Sequence, residues 1–234
     1  MHLAMLVPHS ALLASTSVSI NLGNTLSKPT TSILVILAGT FLSVAPSLLI
    51  LCTGFVRIII VLGLTRQALG LSTTPPNQVL VGIALFISLF LMTPTLNAMN
   101  HEALQPYLHG KMTATQAYRE AEVPLKTWML KQTGAEELGV TDKIGHYNPA
   151  APMKAPLAAI IPAFLLTQLK SAFIIGFVIF VPFLIIDLVV SATLMSMGVV
   201  MLPPTLVSLP FKLLLFVLVD GWVLVLQSLV TSFR

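Results

Sequence analysis

Two aspartates lie in stretches of sequence that are otherwise almost entirely hydrocarbon. Asp187 interrupts "FLIIDLVVS" and Asp220 interrupts "FVLVDGWVL". A charge at mid-bilayer costs about 2.5 to 3.5 kcal/mol on insertion scales, so acids at such positions usually have a role or a partner. Paired intramembrane aspartates that share a proton can catalyse proteolysis, and intramembrane acids can also relay protons in a transporter.

The residues around the two acids give little support to either chemistry. The flanks "IIDLV" and "LVDGW" lack the Tyr and Gly-x-Gly companions expected of an intramembrane aspartyl protease. No internal repeat links two halves of the chain, as it does in many transporters. We therefore favour a structural interpretation, in which buried polar groups fix the register of helices or subunits. A proton-coupled membrane transporter that uses Asp187 and Asp220 is the alternative.

Three basic residues, Arg57, Lys170 and Lys212, also lie within or at the edge of apolar runs. Lys212 and Asp220 are eight residues apart, which is about 12 Å along a helix. This distance is too long for a pair within one helix. Each of the two is therefore expected to find its partner on another segment or another chain.

The sequence carries no recognisable metal site or nucleophile. His101, His109 and His146 have neither an i, i+4 ligand partner nor a companion cysteine, which is typical of solvent-exposed histidines. No G-x-S-x-G and no phosphate-binding glycine loop occurs, and Cys52 is the single cysteine. We expect no catalytic residue, no metal and no cofactor.

The composition places the elements that carry these residues in or on a membrane. Of 234 residues, 56% are hydrophobic and 9% are charged, against about 25% charged in a typical soluble domain. The mean hydropathy is +0.95. The net charge of +4 comes from scattered basic residues and not from a basic patch, which argues against nucleic-acid binding. The expected fold class is all-α, with polytopic membrane-associated helical hairpins.

Four apolar regions, at about 33–64, 79–99, 157–202 and 209–233, predict the membrane helices. Prolines within or beside them predict bent and paired helices rather than straight rods. Small residues at every fourth position, Gly39, Ser43 and Ser47, predict a face where helices pack closely.

A polar insert divides the apolar regions and holds twelve of the twenty charged residues. Its sequence predicts a helical hairpin, with Thr113 and Gln116 in a capping box and Pro124 at the start of the second helix. The predicted divisions are an N-terminal tail or weak signal peptide (1–32), a first apolar helical region (33–99), the insert (100–156) and a second apolar helical region (157–234). Arg57 and Arg66 with no nearby acid predict a cytoplasmic side, which puts the insert in the periplasm.

Several long stretches, running in order from about residue 41 to the last residue, resemble the FliP family of type III secretion export gates, which also includes the injectisome R component. The matching stretches are "FVRIIIVLGLTRQALG", "TPPNQVLVGIALFISLFLMTP", "WMLKQT", "LKSAFIIGFVIFVPFLIIDLVV" and "LPPTLVSLPFKLLLFVLVDGWVLV". The resemblance implies a non-enzymatic ring subunit, expected as a pentamer, that joins FliQ-like and FliR-like subunits and other export-apparatus membrane proteins. The assembly would pass unfolded substrates across the bacterial inner membrane at the flagellar basal body.

The resemblance also implies roles for particular residues. The apolar segments would be bent hairpins buried against neighbouring subunits, with buried inter-helix or inter-subunit polar contacts at Arg57, Lys170, Asp187, Lys212 and Asp220. A methionine-rich loop in the family is expected to close the pore as a gasket. Here that loop reads "MGVVMLPP", and two valines stand where methionines are expected. The gasket candidates are Met197, Val199, Val200 and Met201.

A second departure from the family pattern is Gln168, which stands where a glutamate is expected before the lysine. An ion pair that such a glutamate makes in relatives would be absent here. A neutral hydrogen bond would replace it.

Overall fold

A computed structural model describes residues 50–145, 151–199 and 201–233, together with positions 39, 40 and 43. All regular structure within these residues is helical, as the composition predicts. The N-terminal tail (1–32), Ser47 and Val200 lie outside the described residues, so the interpretations made for them stay predictions.

The described helices follow one another with short connections. A π-helical turn, Asn100–Leu104, joins α2 to α3, and a 3-10 turn, Pro152–Lys154, precedes α6. The α-helices are α1 (Phe55–Ala68), α2 (Asn77–Met99), α3 (Gln105–Leu108), α4 (Ala114–Lys131), α5 (Ala135–Gly145), α6 (Leu157–Ser196), α7 (Pro204–Leu218) and α8 (Gly221–Thr231).

Within the part of the chain that the structure describes, two helical segments are long and apolar enough to cross a membrane. They are the continuous rod Asn77–Leu108, of 32 residues, and α6, of 40 residues. Helices α7 and α8 together form a third candidate, but they are bent by 64°. Helix α1 has 14 residues, or about 21 Å, which is shorter than a single span requires. The helical segment that begins at Asn77 continues to Leu108, whereas the predicted polar insert begins at residue 100.

Prolines lie inside the helices without ending them, and Pro124 does not begin a second insert helix as the sequence predicts. Whether the other prolines bend their helices stays a prediction. Helix α2 contains Pro94, α4 contains Pro124, and α6 contains both Pro162 and Pro182, each within one continuous helix. The 64° bend falls instead at Asp220, where no proline occurs. A proline removes one backbone donor, and in an apolar helix that is packed on others this loss alone does not end the helix.

Helix α1 forms the centre of the larger core. Its residues Ile58, Val61 and Leu62 are fully buried among side chains of α2, α6, α7 and α8. Gly176 of α6 lies directly against Leu64, so the two helices approach closely. A second apolar cluster, around Met129 of the insert and residues of the first turns of α6, attaches the insert to this core. The predicted capping box at Thr113 and Gln116 is present at the start of α4.

Candidate pore loop and buried polar contacts

A short loop joins α6 to α7 and contains the gasket candidates. Gly198 ends α6 in the left-handed conformation (φ +72°), and its N–H donates to the carbonyl of Met195 at 3.0 Å. The N–H of Val199 donates to the carbonyl of Leu194 at 3.0 Å, which completes a Schellman cap. Pro204 then occupies the first turn of α7, a position where its missing N–H leaves no unpaired donor. Both ends of the loop are thus fixed by local sequence.

The described side chains at this loop are apolar, and most of them are exposed. Met201 is 96% exposed, and Met197 and Leu202 are also exposed, while Val199 is half-buried. Exposed apolar groups at the tip of a hairpin are typical of a surface that another chain covers. Methionine suits such a position because its flexible, polarizable side chain adapts to irregular partners.

Lys212 finds its partner on α6 and not on its own helix. Its Nζ lies 2.5 Å from Oδ2 of Asp187 and donates to the carbonyl of Ala68, at the end of α1, at 3.1 Å. Ser208 Oγ donates to the other carboxylate oxygen at 2.5 Å. Lys212 is 4% exposed, so its charge is compensated inside the chain. The contacts join three helices at one point.

Asp220 does not belong to the same helix as Lys212, contrary to the geometry assumed from the sequence. Helix α7 ends at Leu218, and Asp220 adopts the left-handed conformation (φ +53°) just before α8. The side chain is exposed. Asp220 is therefore not buried within the single chain, and its burial in a subunit interface stays a prediction.

Arg57 is 3% exposed and contacts the last described residues. Its Nη1 donates to the carbonyl and to Oγ of Ser232, at 2.8 and 3.1 Å, and its Cζ lies 4.0 Å from the centre of the Phe233 ring. Trp128 of α4 stacks on the same ring, with centroids 6.1 Å apart, and Gln132 Nε2 donates to the Phe233 carbonyl at 2.8 Å.

Gly54 also belongs to this site. A Cβ at this position would lie 2.7 Å from the Phe233 ring, so the ring fits there because residue 54 has no side chain. We name Gly54, Arg57, Trp128 and Gln132 the Phe233 socket. Sequence reasoning missed the socket, and its only local signals were a glycine and an arginine three residues apart and a lone tryptophan on the insert.

The two arginines assigned to one cytoplasmic side lie at opposite ends of α1. Arg66 donates to the carbonyl of Pro75 at 2.9 Å and to Oδ1 of Asn77 at 2.7 Å, in the connection to α2. Arg57 lies instead in the socket beside α4, a helix of the insert. Arg57 and the insert therefore lie on the same side of a membrane. The cytoplasmic assignment of Arg57 and the periplasmic assignment of the insert do not fit together, and each stays a prediction.

Lys170 forms an inter-helix contact but is 54% exposed along its side chain. Its Nζ lies 2.9 Å from Glu136 Oε2 and 2.8 Å from Glu137 Oε1, which attaches α6 to α5. The hydrogen bond from Lys170 lowers the pKa of Glu137. Two positions earlier, Gln168 is fully buried, and its Nε2 donates to the carbonyl of Gln132 at 3.3 Å. A neutral hydrogen bond thus occupies the position where a glutamate was expected.

The small-residue face is only partly described. Ser43 Oγ donates to the carbonyl of Gly39 at 2.9 Å, and both residues are exposed. A close helix partner at this face stays a prediction. Among the described residues no group of His, Cys, Asp or Glu is arranged to hold a metal ion.

The sequence as a whole matches one protein family, described as the FliP family, over residues 38–229. The chain is 50% identical over 195 residues to the flagellar biosynthetic protein FliP of Bacillus subtilis, an alignment that covers 83% of this chain and 88% of that one. It is 43% identical over 233 residues to the protein of the same name from Caulobacter vibrioides, covering 99% and 88%. For the Aquifex aeolicus protein the identity is 46% over 198 residues, covering 83% of each chain.

The matched residues include α1 to α7, the loop between α6 and α7, and the Asp187–Lys212 contact. The two long apolar helices agree with a membrane protein. With identities of 43 to 50% over most of its length, the chain belongs to the FliP family of flagellar biosynthetic proteins.

Proposed function

We propose that the chain is a pore-forming subunit of the flagellar type III protein export gate. It assembles in several copies, with FliQ-like and FliR-like subunits, into a conduit that passes unfolded export substrates across the inner membrane during flagellum assembly. The observation that carries this proposal is the exposed apolar loop between α6 and α7, presented by a chain of the FliP family. Such a loop has no use in an isolated subunit, but a ring of such loops closes a pore.

The exposed helix surfaces support an assembly of several chains. Large apolar side chains are exposed along α2, α6, α7 and α8. Lipid covers part of such a surface, and neighbouring subunits cover the rest in a gate. Lys170 and Asp220 are exposed in the single chain, and we infer that other subunits or the pore water surround them. The insert then lies on the periplasmic side of the basal body.

The conduit acts by opening and closing, not by catalysis. The polar contacts of Arg57, Asp187 and Lys212 are made within the chain and position its helices. In this proposal the energy for export comes from other components of the apparatus. The flexible methionines Met197 and Met201 suit a closure that fits substrates of varied sequence, whereas the β-branched valines between them are stiffer.

Native mass spectrometry of the chain co-expressed with its FliQ-like and FliR-like neighbours tests the assembly. We expect a discrete complex with several copies of the 25.1 kDa chain and both partners. A monomer or simple dimer that ignores both partners would contradict the proposal. If purified dimers or monomers then carried protons and lost that activity in Asp187→Asn and Asp220→Asn, the transporter would replace the gate.

The loop is tested separately by Met201→Asp in the co-expressed complex. A carboxylate at a closed apolar constriction attracts water, so we expect an assembled complex with altered export of flagellar subunits and raised ion leakage. Met153→Asp is the matched control, because Met153 is an exposed methionine of the insert, outside the loop. Equal leakage in both variants would remove the loop from the proposed closure.

A further inference from the structure

The junction between α7 and α8 has the features of a hinge. Asp220 is the one described non-glycine residue with a positive φ, and Gly221, the first residue of α8, follows it directly. The left-handed conformation is costly for most L-residues, but aspartate tolerates it better than most. A change of the Asp220 backbone to the right-handed region would therefore relieve strain, and with a smaller adjustment of Val219 (φ −95°, ψ +9°) it would continue the helix.

Aromatic packing stabilises the bend on its inner side. Phe216 lies so close to Gly221 that a Cβ on the glycine would overlap its ring. Trp222 packs edge-on against the same ring, with centroids 5.2 Å apart. These contacts depend on the bend, because they join the last turn of α7 to the first turn of α8.

The far end of α8 is held by the Phe233 socket. Between hinge and socket, Val225 and Leu229 are the fully buried residues of α8, and most of its other side chains are partly or fully exposed. The socket contacts therefore contribute a large share of what holds α8 in place. They reach both α1, through Arg57, and the insert, through Trp128 and Gln132.

The socket lies beside open surface grooves and leaves two of its polar groups unpaired. Grooves of about 680 Å³ and about 450 Å³ border Phe233 and Ser232. Within the described residues, Arg57 Nε and Trp128 Nε1 are buried without a hydrogen-bond partner. Buried polar groups are normally paired. Water that enters when the Phe233 ring leaves would hydrogen-bond both groups, and this gain offsets part of the cost of release.

We propose that α7 and α8 form a two-state arm. In the bent state the Phe233 socket latches α8, and in the straight state Pro204–Thr231 is one helix with a hinge at Asp220. The straight helix of 28 residues is about 42 Å long, which exceeds the hydrocarbon thickness of about 30 Å. The two halves together are apolar enough to span a membrane. This device is independent of the proposed function, which stands whether or not the arm moves.

The two states differ in the distance between labels on the two helices. Spin labels at Thr205 and Ser228, both exposed, are placed on a Cys52→Ala background of the full chain in detergent. The backbone positions are separated by about 35 Å in a straight helix and by about 30 Å with the 64° bend. Pulsed electron–electron double resonance measures the distance between the two labels and resolves this difference.

The labelled chain with an intact socket should give the short label-to-label distance. The Phe233→Ala variant should also show a population at the long distance. Gln132→Ala removes only the hydrogen bond to the Phe233 carbonyl and should give a smaller shift in the same direction, which keeps the test available if Phe233→Ala folds poorly. In the double variant Phe233→Ala with Asp220→Gly, the population should return toward the short distance, because glycine adopts the left-handed conformation without a steric cost. Phe90→Ala, at an exposed phenylalanine of α2, is the matched control and should change nothing.

Two results would overturn the two-state arm. One is the short distance alone in both Phe233→Ala and Gln132→Ala. The other is a broad distribution without a long component, because that outcome means that α8 unravels when the socket is emptied and does not straighten.

Discussion

At the scale of single residues, the contact of Lys212 with Asp187 decides how three helices meet. A buried ammonium group is stabilised only if its charge and its donors are matched, and here a carboxylate and a helix-terminal carbonyl match them. Asp187 is about one third exposed along its side chain, so the pair lies between a surface pair and a fully buried one. The contact fixes the register of α6 against α7 within one chain.

We expect Lys212→Met to lower the free energy of unfolding by about 2 to 4 kcal/mol, because it leaves a partly buried carboxylate without its partner. The double variant Lys212→Met with Asp187→Leu should recover part of the loss. Thermal and denaturant unfolding in detergent, followed by circular dichroism, measures both. Lys170→Met, at the exposed ion pair, is the control and should lose much less, because solvent screens an exposed pair. Equal losses at the two lysines would contradict this account.

A pH dependence follows from the contact of Glu137 with Lys170. The hydrogen bond from Lys170 lowers the pKa of Glu137 in the folded chain. The stabilisation is therefore complete above the unfolded pKa of about 4.3 and is lost as the pH falls through the lowered folded value. Amide hydrogen exchange of α5 should accelerate below about pH 4 relative to α4. In Glu137→Gln this additional acceleration should be absent, and its persistence there would assign it to another acid.

At the scale of helices, the length of α6 and its close approach to α1 determine the packing more than the prolines do. Helix α6 is about 60 Å long, twice the hydrocarbon thickness, so a large part of it lies outside the bilayer or against other protein. Its middle packs on α1, where Gly176 lies against Leu64. That close approach brings Asp187 to the level of the end of α1 and of Lys212.

A pair of glycine substitutions tests this packing. Gly176→Ala should destabilise the chain by about 1 to 3 kcal/mol, because its Cβ would overlap Leu64. Gly63→Ala, on α1 but with no heavy atom within 4 Å of the new Cβ, should stabilise by about 0.5 to 1 kcal/mol. Thermal midpoints in detergent measure both changes. A neutral Gly176→Ala would mean that α1 and α6 do not approach as closely as described.

At the scale of the whole molecule, the chain has more apolar surface than its own fold can bury. Phe173, Phe177 and Val178 are exposed on one side of α6, and similar residues are exposed on α2, α7 and α8. Some of these surfaces face lipid, and others face subunits if the chain forms a gate. A charged residue on a subunit interface should then separate folding of the chain from its assembly.

We expect Phe177→Lys to leave the helix content and the thermal midpoint of the isolated chain nearly unchanged, because Phe177 is mostly exposed there. The same change should reduce co-purification of the FliQ-like and FliR-like subunits by at least about tenfold, the effect of roughly 1.4 kcal/mol. Phe177→Leu keeps the surface apolar and serves as the control. Full co-purification with Phe177→Lys would place this side of α6 against lipid.

The sequence by itself determined the fold class, the membrane character and the family. It also located the capping box at Thr113 and the loop between α6 and α7. These features depend on composition and on neighbouring residues, which a sequence displays directly. Long stretches that resemble the family carry this assignment, and the comparisons confirm it.

Only the tertiary structure decided the partners of the buried charges and the place of the bend. Asp187 is 25 residues from Lys212, and Phe233 is more than 170 residues from Arg57, so both contacts depend on how helices rotate and pack. The prolines lie inside continuous helices, and the 64° bend forms at Asp220, for which Asp220 and Gly221 gave only a weak local signal. Helix periodicity in the sequence predicts which face of a single helix is buried. The distance between faces of different helices is set by side chains such as Gly176 and Leu64, which meet only after folding.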